Sequence, residues 1–307
     1  MKKVAISTVL IGLLCASPAL AWNGFGHMTV AAVAYGKLTP ATKTKVAALL
    51  KLNPSYPDWV ATASPQDRDE VAFVTAATWP DAIKKRGSGF TDDSKNPFAP
   101  DASKNEGYAG MLQHRYWHYI DVPFSPDGTP LQQPRAPNAK TQIAAFRTAL
   151  ASSSASDELK SYDLVWLIHL VGDLHQPLHC TSRFDQNQPD GDRGGNLVAL
   201  CARPCRGELH ALWDDILGTK TEPKAAIKKA AKLDAPEPRL AAVKDEDVWI
   251  AESVRTAKAS VYIDPIGVGA GPFEVDAEYR RQARAVAAER VALAGARLAN
   301  LLNSTLK

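Results

Sequence analysis

The run His169-Leu-Val-Gly-Asp173-Leu-His175-Gln-Pro-Leu-His179 constrains this chain more than any other. Leu164, Val165, Trp166, Leu167 and Ile168 precede it, so it reads as the end of a buried helix. A polar group buried without a partner costs roughly 2–7 kcal/mol, so three imidazoles and a carboxylate here need partners. A metal ion suits His and Asp together. His169 and Asp173 are four residues apart, stacked on one helix face. His210 and Asp214 repeat that spacing, and His118 stands near Asp121. A lone helical His is more often a satisfied core or surface residue; two such pairs shift the reading to a metal site.

Residues 1–21 read as a secretory signal peptide. Lys2 and Lys3 open it, Val4 to Leu14 is apolar, and Ala19-Leu20-Ala21 is a small-residue cleavage site. That apolar run is too short for a membrane span. Leu14 before Cys15 does not suit a lipid anchor, and no later segment is apolar enough to span a bilayer. The protein is therefore expected in the periplasm or the medium, with a monomer as the default. Lys+Arg total 36 against 33 Asp+Glu, and the leader takes two of the lysines. So near a balance argues against a generic electrostatic grip on nucleic acid, though not against a local site. Export makes one disulfide plausible among Cys180, Cys201 and Cys205. Cys201 with Cys205 is favoured, because Pro204 suits a tight loop; a Cys/His zinc site is the rival.

The rest of the chain, residues 22–307, reads as one mostly α domain of many helices. Thr39-Pro40 and Ser64-Pro65 are helix starts. Thr78-Trp79-Pro80-Asp81 opens a short helix, and Asn138 caps another. Ser156 begins the helix that carries His169 and Asp173, and Pro177 stops it. Leu209, Leu212 and Ile216 form a stripe closed by Gly218, and Asp276 to Asn303 is a long helix. Period-two alternation is scarce, so little sheet is expected. Two long polar loops, Gly87 to Gly110 and Thr181 to Asn196, are expected to line the site or to be surface excursions.

Trp22 would be the first residue after cleavage. Its side chain alone reads as an apolar end that packs. Its α-amine, with a pKa of about 7.7–8.0, could also chelate an ion together with its own carbonyl. His27 stands five residues on.

Trp22-Asn-Gly-Phe-Gly-His27, Trp79-Pro-Asp81, Trp117-His118-Tyr-Ile-Asp121, the His169–His179 run, Gly194-Gly-Asn196 and Leu209-His210-Ala-Leu-Trp213-Asp214 occur in this order. This resembles the single-strand-specific zinc nucleases (the S-one/P-one family), which are related to zinc-dependent phospholipase C. Trp249-Ile-Ala-Glu-Ser253 and Ala294-Gly-Ala-Arg-Leu298 also fit, so the resemblance spans nearly all of residues 22–307. It implies a mostly α fold of the phospholipase C and zinc nuclease type, with long site-lining loops and three zinc ions. The first ion would take the Trp22 amine and carbonyl, His27 and Asp173. The second would take Asp81, His118, His169 and Asp173, so that Asp173 bridges the pair. The third would take His179, His210 and Asp214. The resemblance further implies hydrolysis of single-stranded DNA and RNA to 5′-phosphorylated products, and 3′-nucleotidase action on nucleotides.

Tyr119 and Asp121 match positions that bind a base; the plain alternatives are a core tyrosine and a helix-end cap. Asn196 matches a site-lining asparagine or is a simple turn residue. Many relatives carry an arginine three residues after the aspartate that matches Asp81. Here Lys84 stands there, followed by Lys85 and Arg86. Lysine lacks the bidentate fork. Lys84 serves the phosphate, Arg86 substitutes for it, or the segment is a solvated basic turn. His175 is expected to pack or to support the ligands from behind, and His114 to lie at the surface or a helix end. The main rival is a zinc-dependent phospholipase C acting on lipid head groups, disfavoured by the closeness of His27 to Trp22 and by Asp214 where such lipases use glutamate.

Overall fold

The computed structural model describes residues 22–94, 102–201 and 207–306. The leader and Cys205 lie outside these residues, as does part of the loop after Gly87. Helices dominate, as expected. They run α1 (Gly24–Tyr35), α2 (Pro40–Leu50), α3 (Tyr56–Trp59), α4 (Arg68–Ala76), α5 (Trp79–Ala82) and α6 (Ala139–Ala151). After these come α7 (Asp157–Asp173), α8 (Leu209–Asp215), α9 (Pro223–Ala230), α10 (Pro238–Ala241), α11 (Glu246–Thr256) and α12 (Ala277–Thr305). Among the described residues the strands are two of three residues, β1 (Val122–Phe124) and β2 (Thr181–Arg183), paired in parallel with Val122 opposite Thr181. No described helix is long and apolar enough to cross a membrane.

Capping chemistry sets the main boundaries. The Ser156 hydroxyl accepts from the Leu159 N–H and opens α7. Asn138 and Thr141 form a reciprocal capping box at α6, and Asp276 accepts from the Tyr279 N–H at α12. One start is displaced from its signal. The Ser64 hydroxyl accepts from the Asp67 N–H, so Ser64-Pro65 makes a turn and α4 begins only at Arg68. Gly218 lies beyond the last turn of α8, where Ile216 is the cap.

α7 is the central strut. Every residue from Ser161 to Asp173 is buried, with apolar side chains on all faces of the helix, which leaves His169 and Asp173 no water to turn to. α6 packs along α7, and α1 packs on α12, α4 and α9. The α1–α12 contact is close: a Cβ at Gly295 would lie 2.5 Å from the Val33 Cβ and 2.7 Å from the Val30 carbonyl oxygen. Ala favours helix intrinsically, but here it would push two helices apart. Gly295→Ala is expected to destabilise the protein by about 1–3 kcal/mol. A melting temperature unchanged or raised would contradict this packing.

Candidate metal centre

Three groups of buried donors gather at the C-terminal end of α7. His27, His169 and Asp173 form one; Asp81, His118 and His169 form a second; His179, His210 and Asp214 form a third. Each residue comes from a helix or a tight turn. α1 supplies His27, α5 Asp81, α7 His169 and Asp173, and α8 His210 and Asp214. His118 and His179 lie in short 3-10 turns at Arg115–His118 and Pro177–Cys180. The Ile120 N–H donates to the His179 carbonyl at 2.8 Å, which ties these two turns together ahead of the β1–β2 pair.

Backbone carbonyls fix the ring protons. His169 Nδ1 lies 2.7 Å from the Ala77 carbonyl oxygen, His179 Nδ1 2.8 Å from that of His118, and His210 Nδ1 2.6 Å from that of Gly194. A carbonyl only accepts, so each Nδ1 carries the proton and each Nε2 presents a lone pair. His179 Nε2 and His210 Nε2 then face each other at 3.0 Å, lone pair to lone pair. Asp214 Oδ2 stands 3.5 Å from His210 Nε2. Only a cation placed among them turns that repulsion into attraction.

The first two groups meet at Asp173. Its Oδ1 lies 3.2 Å from His27 Nε2, while its Oδ2 lies 3.2 Å from His118 Nδ1 and 3.3 Å from His169 Nε2. The two oxygens thus address different groups, as a bridging carboxylate does. His169 stacks on His27 with centroids 3.7 Å apart and comes within reach of both groups, not of one alone. Neither ring nitrogen of His27, nor Asp173 Oδ1, nor Asp81 Oδ2 has a hydrogen-bond partner among the described residues. Buried polar atoms without partners are rare. Nitrogen and carboxylate oxygen donors in these sets are what zinc takes.

Burial, first of all, holds His169 and His210 down to a pKa of about 4, and His27, His118 and His179 well below the usual imidazole range. The rings are therefore neutral and able to ligate. Burial also drives the Asp173 carboxyl well above its ordinary range, with the Asp81 charge adding to it. Burial raises Asp214 likewise. These are the shifts expected of sites whose compensating charge is a metal cation.

The donors open onto a cleft of about 490 Å³, lined by Lys84, His118, Tyr119, Asp121, His179, Arg193, Asn196 and His210 among others. A cavity of similar size, about 500 Å³, is lined by Ala211, Leu212 and Asp215 of α8 and meets none of the donor groups. Lys84 is buried at the cleft, with Nζ 2.6 Å from Asp81 Oδ1. Arg86 is exposed and does not line it. Tyr119 is 39% exposed, enough to offer a ring face. Burial, with the nearby Asp192 charge, raises Asp121 to about 7, and Arg193 opposes this. The Asn196 amide donates to the Arg193 carbonyl at 2.7 Å, so this residue closes the turn beside His210 as well as lining the cleft. The glycine before that turn is required. Gly194 has φ of +61°, and a Cβ there would meet the Leu178 carbonyl oxygen at 2.2 Å.

Of the remaining residues singled out in the sequence, only His114 differs from its reading, by being buried. Trp22 is fully buried, and its indole N–H donates to the Gly172 carbonyl at 3.1 Å, next to Asp173 in the chain. His114 is buried, not superficial. It caps the 3-10 turn before His118 and stacks on Trp117 at 3.5 Å. His175 is buried and turned toward Arg297, away from the donors. Cys180 is a free buried thiol; the expected pairing of Cys201 involves Cys205, outside the described residues. Three groups went unnoticed in sequence. Gln176 donates to Asp214 Oδ1 at 2.7 Å, and Arg115 and Arg193 line the cleft. Gln176 lies within the His169–His179 run and Arg193 within the Thr181–Asn196 loop, but nothing in the sequence gives either its partner.

The sequence model of the family described as S1/P1 Nuclease matches residues 22–307. Endonuclease 5 of Arabidopsis thaliana is 26% identical over 221 residues, which cover 69% of this chain and 61% of that protein. Endonuclease 2 of the same plant is 31% identical over 77 residues, 25% of this chain and 23% of its own. Nuclease S1 of Aspergillus oryzae is 23% identical over 203 residues, 63% of this chain and 53% of its own. The chain thus spans about three-fifths or less of the length of these relatives. The family match covers every described helix and all three donor groups, and on that ground the chain belongs to the S1/P1 nuclease family.

Proposed function

We propose that residues 22–307 form an exported zinc-dependent nuclease domain. It hydrolyses phosphodiesters of single-stranded DNA and RNA, leaves 5′-phosphates, and removes 3′-phosphates from nucleotides. The observation that carries this reading is the set of buried, unsatisfied donor atoms, with His179 and His210 opposed Nε2 to Nε2 and His27 facing Asp173 Oδ1. Three zinc ions fit that set. His27 and Asp173, with the amine and carbonyl of a processed Trp22, would hold one. Asp81, His118, His169 and Asp173 would hold its partner, and His179, His210 and Asp214 the third. Zinc so held supplies Lewis acidity and a water acidified to a pKa of about 7.

The chain's own groups do the rest. Lys84, the cation nearest Asp81 in the cleft, meets the substrate phosphate and balances its charge. Tyr119 stacks a base, a contact worth about 1–3 kcal/mol. Asp121 accepts from the edge of that base, and Asn196 holds the turn whose Gly194 carbonyl fixes the His210 ring. His118, His179 and His210 are only 2–3% exposed, so the donors lie at the cleft floor. A duplex cannot bring its backbone to such a floor, whereas a single strand with splayed bases can. The nearest competing activity, on phospholipid head groups, gains no support from the family match.

Natively processed protein is expected to degrade single-stranded DNA and RNA, to liberate inorganic phosphate from 3′-nucleotides, and to stop when a chelator removes its metal. Retention of full activity after metal removal would end this reading. Asp173→Asn is expected to lower turnover at least a hundredfold and to disturb two ions together; metal analysis finding only one ion lost would refute the bridge. Protein left with one extra residue before Trp22 is expected to lose one ion and most of its activity. Normal metal content in that form would remove the terminal amine from the ligand set.

A further inference from the structure

Two motifs near the C-terminus, Trp249-Ile-Ala-Glu-Ser253 and Ala294-Gly-Ala-Arg-Leu298, supply none of the candidate metal donors. They meet instead at the end of α7. That helix stops at Asp173, and its last carbonyls have no partner within the helix. Both Leu174 and His175 are fully buried, so water does not serve them. The Ser253 hydroxyl donates to the Leu174 carbonyl at 2.6 Å, and the Cys180 thiol to the same oxygen at 3.2 Å. Arg290 Nε donates to the His175 carbonyl at 3.2 Å, and Arg290 Nη2 donates to the Ser253 oxygen at 2.8 Å. Arg297 grips Glu252 through Nη1 at 2.6 Å and Nη2 at 2.9 Å. The same Nη1 lies 3.0 Å from His175 Nε2. An arginine only donates, so His175 keeps its proton on Nδ1, 2.7 Å from the Val171 carbonyl oxygen.

This network grips one end of a short turn whose other end carries metal donors. Gln176 follows at once: its Oε1 accepts from the Leu178 N–H at 2.6 Å, and its Nε2 donates to Asp214 Oδ1 at 2.7 Å. The His179 N–H donates to the Gln176 carbonyl at 3.0 Å. His179 and Asp214 are therefore both placed through the segment that the network holds. His169 and Asp173 sit within α7 itself, upstream of it, and His169 is fixed by Ala77. Buried ion pairs are weak stabilisers compared with apolar packing, so two buried arginines on a partly buried glutamate call for a use other than stability.

We propose that Ser253, Arg290 and Arg297, braced by Glu252, are positioning residues that set the third zinc site, His179 with His210 and Asp214, independently of the bridged pair. The proposal rests on the zinc reading above. Partners that orient ligands typically change metal affinity by about 10–100-fold. Ser253→Ala is the test variant, because the Cys180 thiol still serves the Leu174 carbonyl. Wild type, Ser253→Ala, Arg290→Lys and His210→Ala are each loaded with zinc, dialysed against graded chelator, and analysed for zinc per chain, with circular dichroism and melting temperature alongside.

Ser253→Ala is expected to release one zinc at about tenfold lower chelator than wild type, to retain the other two, and to match the residual zinc content of His210→Ala. Arg290→Lys, which keeps the charge but not the fork, is expected to do the same if Ser253→Ala does not fold. All three ions bound as in wild type in a folded variant, with only the melting temperature lowered, would reduce the network to a structural role and overturn the proposal. So would equal loss of every ion. A wild type that takes up no zinc would refute the underlying reading instead, a result separate from either.

Discussion

Lone pairs that face each other across a dry interior are what this structure has to accommodate. His179 and His210 both give their Nδ1 protons to backbone carbonyls, which leaves two Nε2 atoms opposed at 3.0 Å. His169, locked by Ala77 in the same way, points its lone pair at a buried carboxylate and at a second imidazole. Neutral rings cannot satisfy one another across these gaps while the carbonyls keep their protons. Cations can, and the nitrogen and oxygen donor set selects zinc-like ions over hard, oxygen-seeking ones.

The fold serves that constraint. α7 is buried on every side from Ser161 onward and so brings His169 and Asp173 into the interior at a fixed height. Its end at Asp173 frees the chain to turn, and a 3-10 turn starting at Pro177 aims His179 at a different group of donors. α1 and α8 come in beside this end with His27, His210 and Asp214, and the Asn23 N–H donates to the Asp214 carbonyl at 3.2 Å. Gly194 lets the loop before α8 touch the Leu178 carbonyl, which seats the His210 ring. Metal affinity and the fold are therefore linked, since the donors come from segments far apart in the chain.

Much of this was legible in the sequence. Ser156, Asn138 and Asp276 announce helix starts because their side chains satisfy exposed N–H groups, a local effect. The i,i+4 pairs His169/Asp173 and His210/Asp214 are legible for the same reason, since helix geometry alone puts them together. α1 carried no such signal. It is buried on nearly all sides, so it lacks an amphipathic stripe, and Gly24 and Gly26 argue against a helix. Gly26 is there because a Cβ would strike Trp22 at 2.6 Å, a tertiary fact. The supporting shell was illegible too. Gln176, Arg290 and Ser253 act through carbonyls and amides brought from elsewhere, and His114 is buried by stacking on Trp117. Residue type suggests what a side chain is able to do; only the fold says which partner it meets.

The most direct measurement of the central claim is zinc-edge anomalous diffraction from crystals of protein that begins at Trp22. Three peaks are expected. Two should flank Asp173, one beside each carboxylate oxygen, and the third should lie between His179 Nε2 and His210 Nε2 with Asp214 beside it. Crystals grown with zinc that show no peak between those two imidazoles, or a hydrogen bond joining the nitrogens instead, would contradict the account.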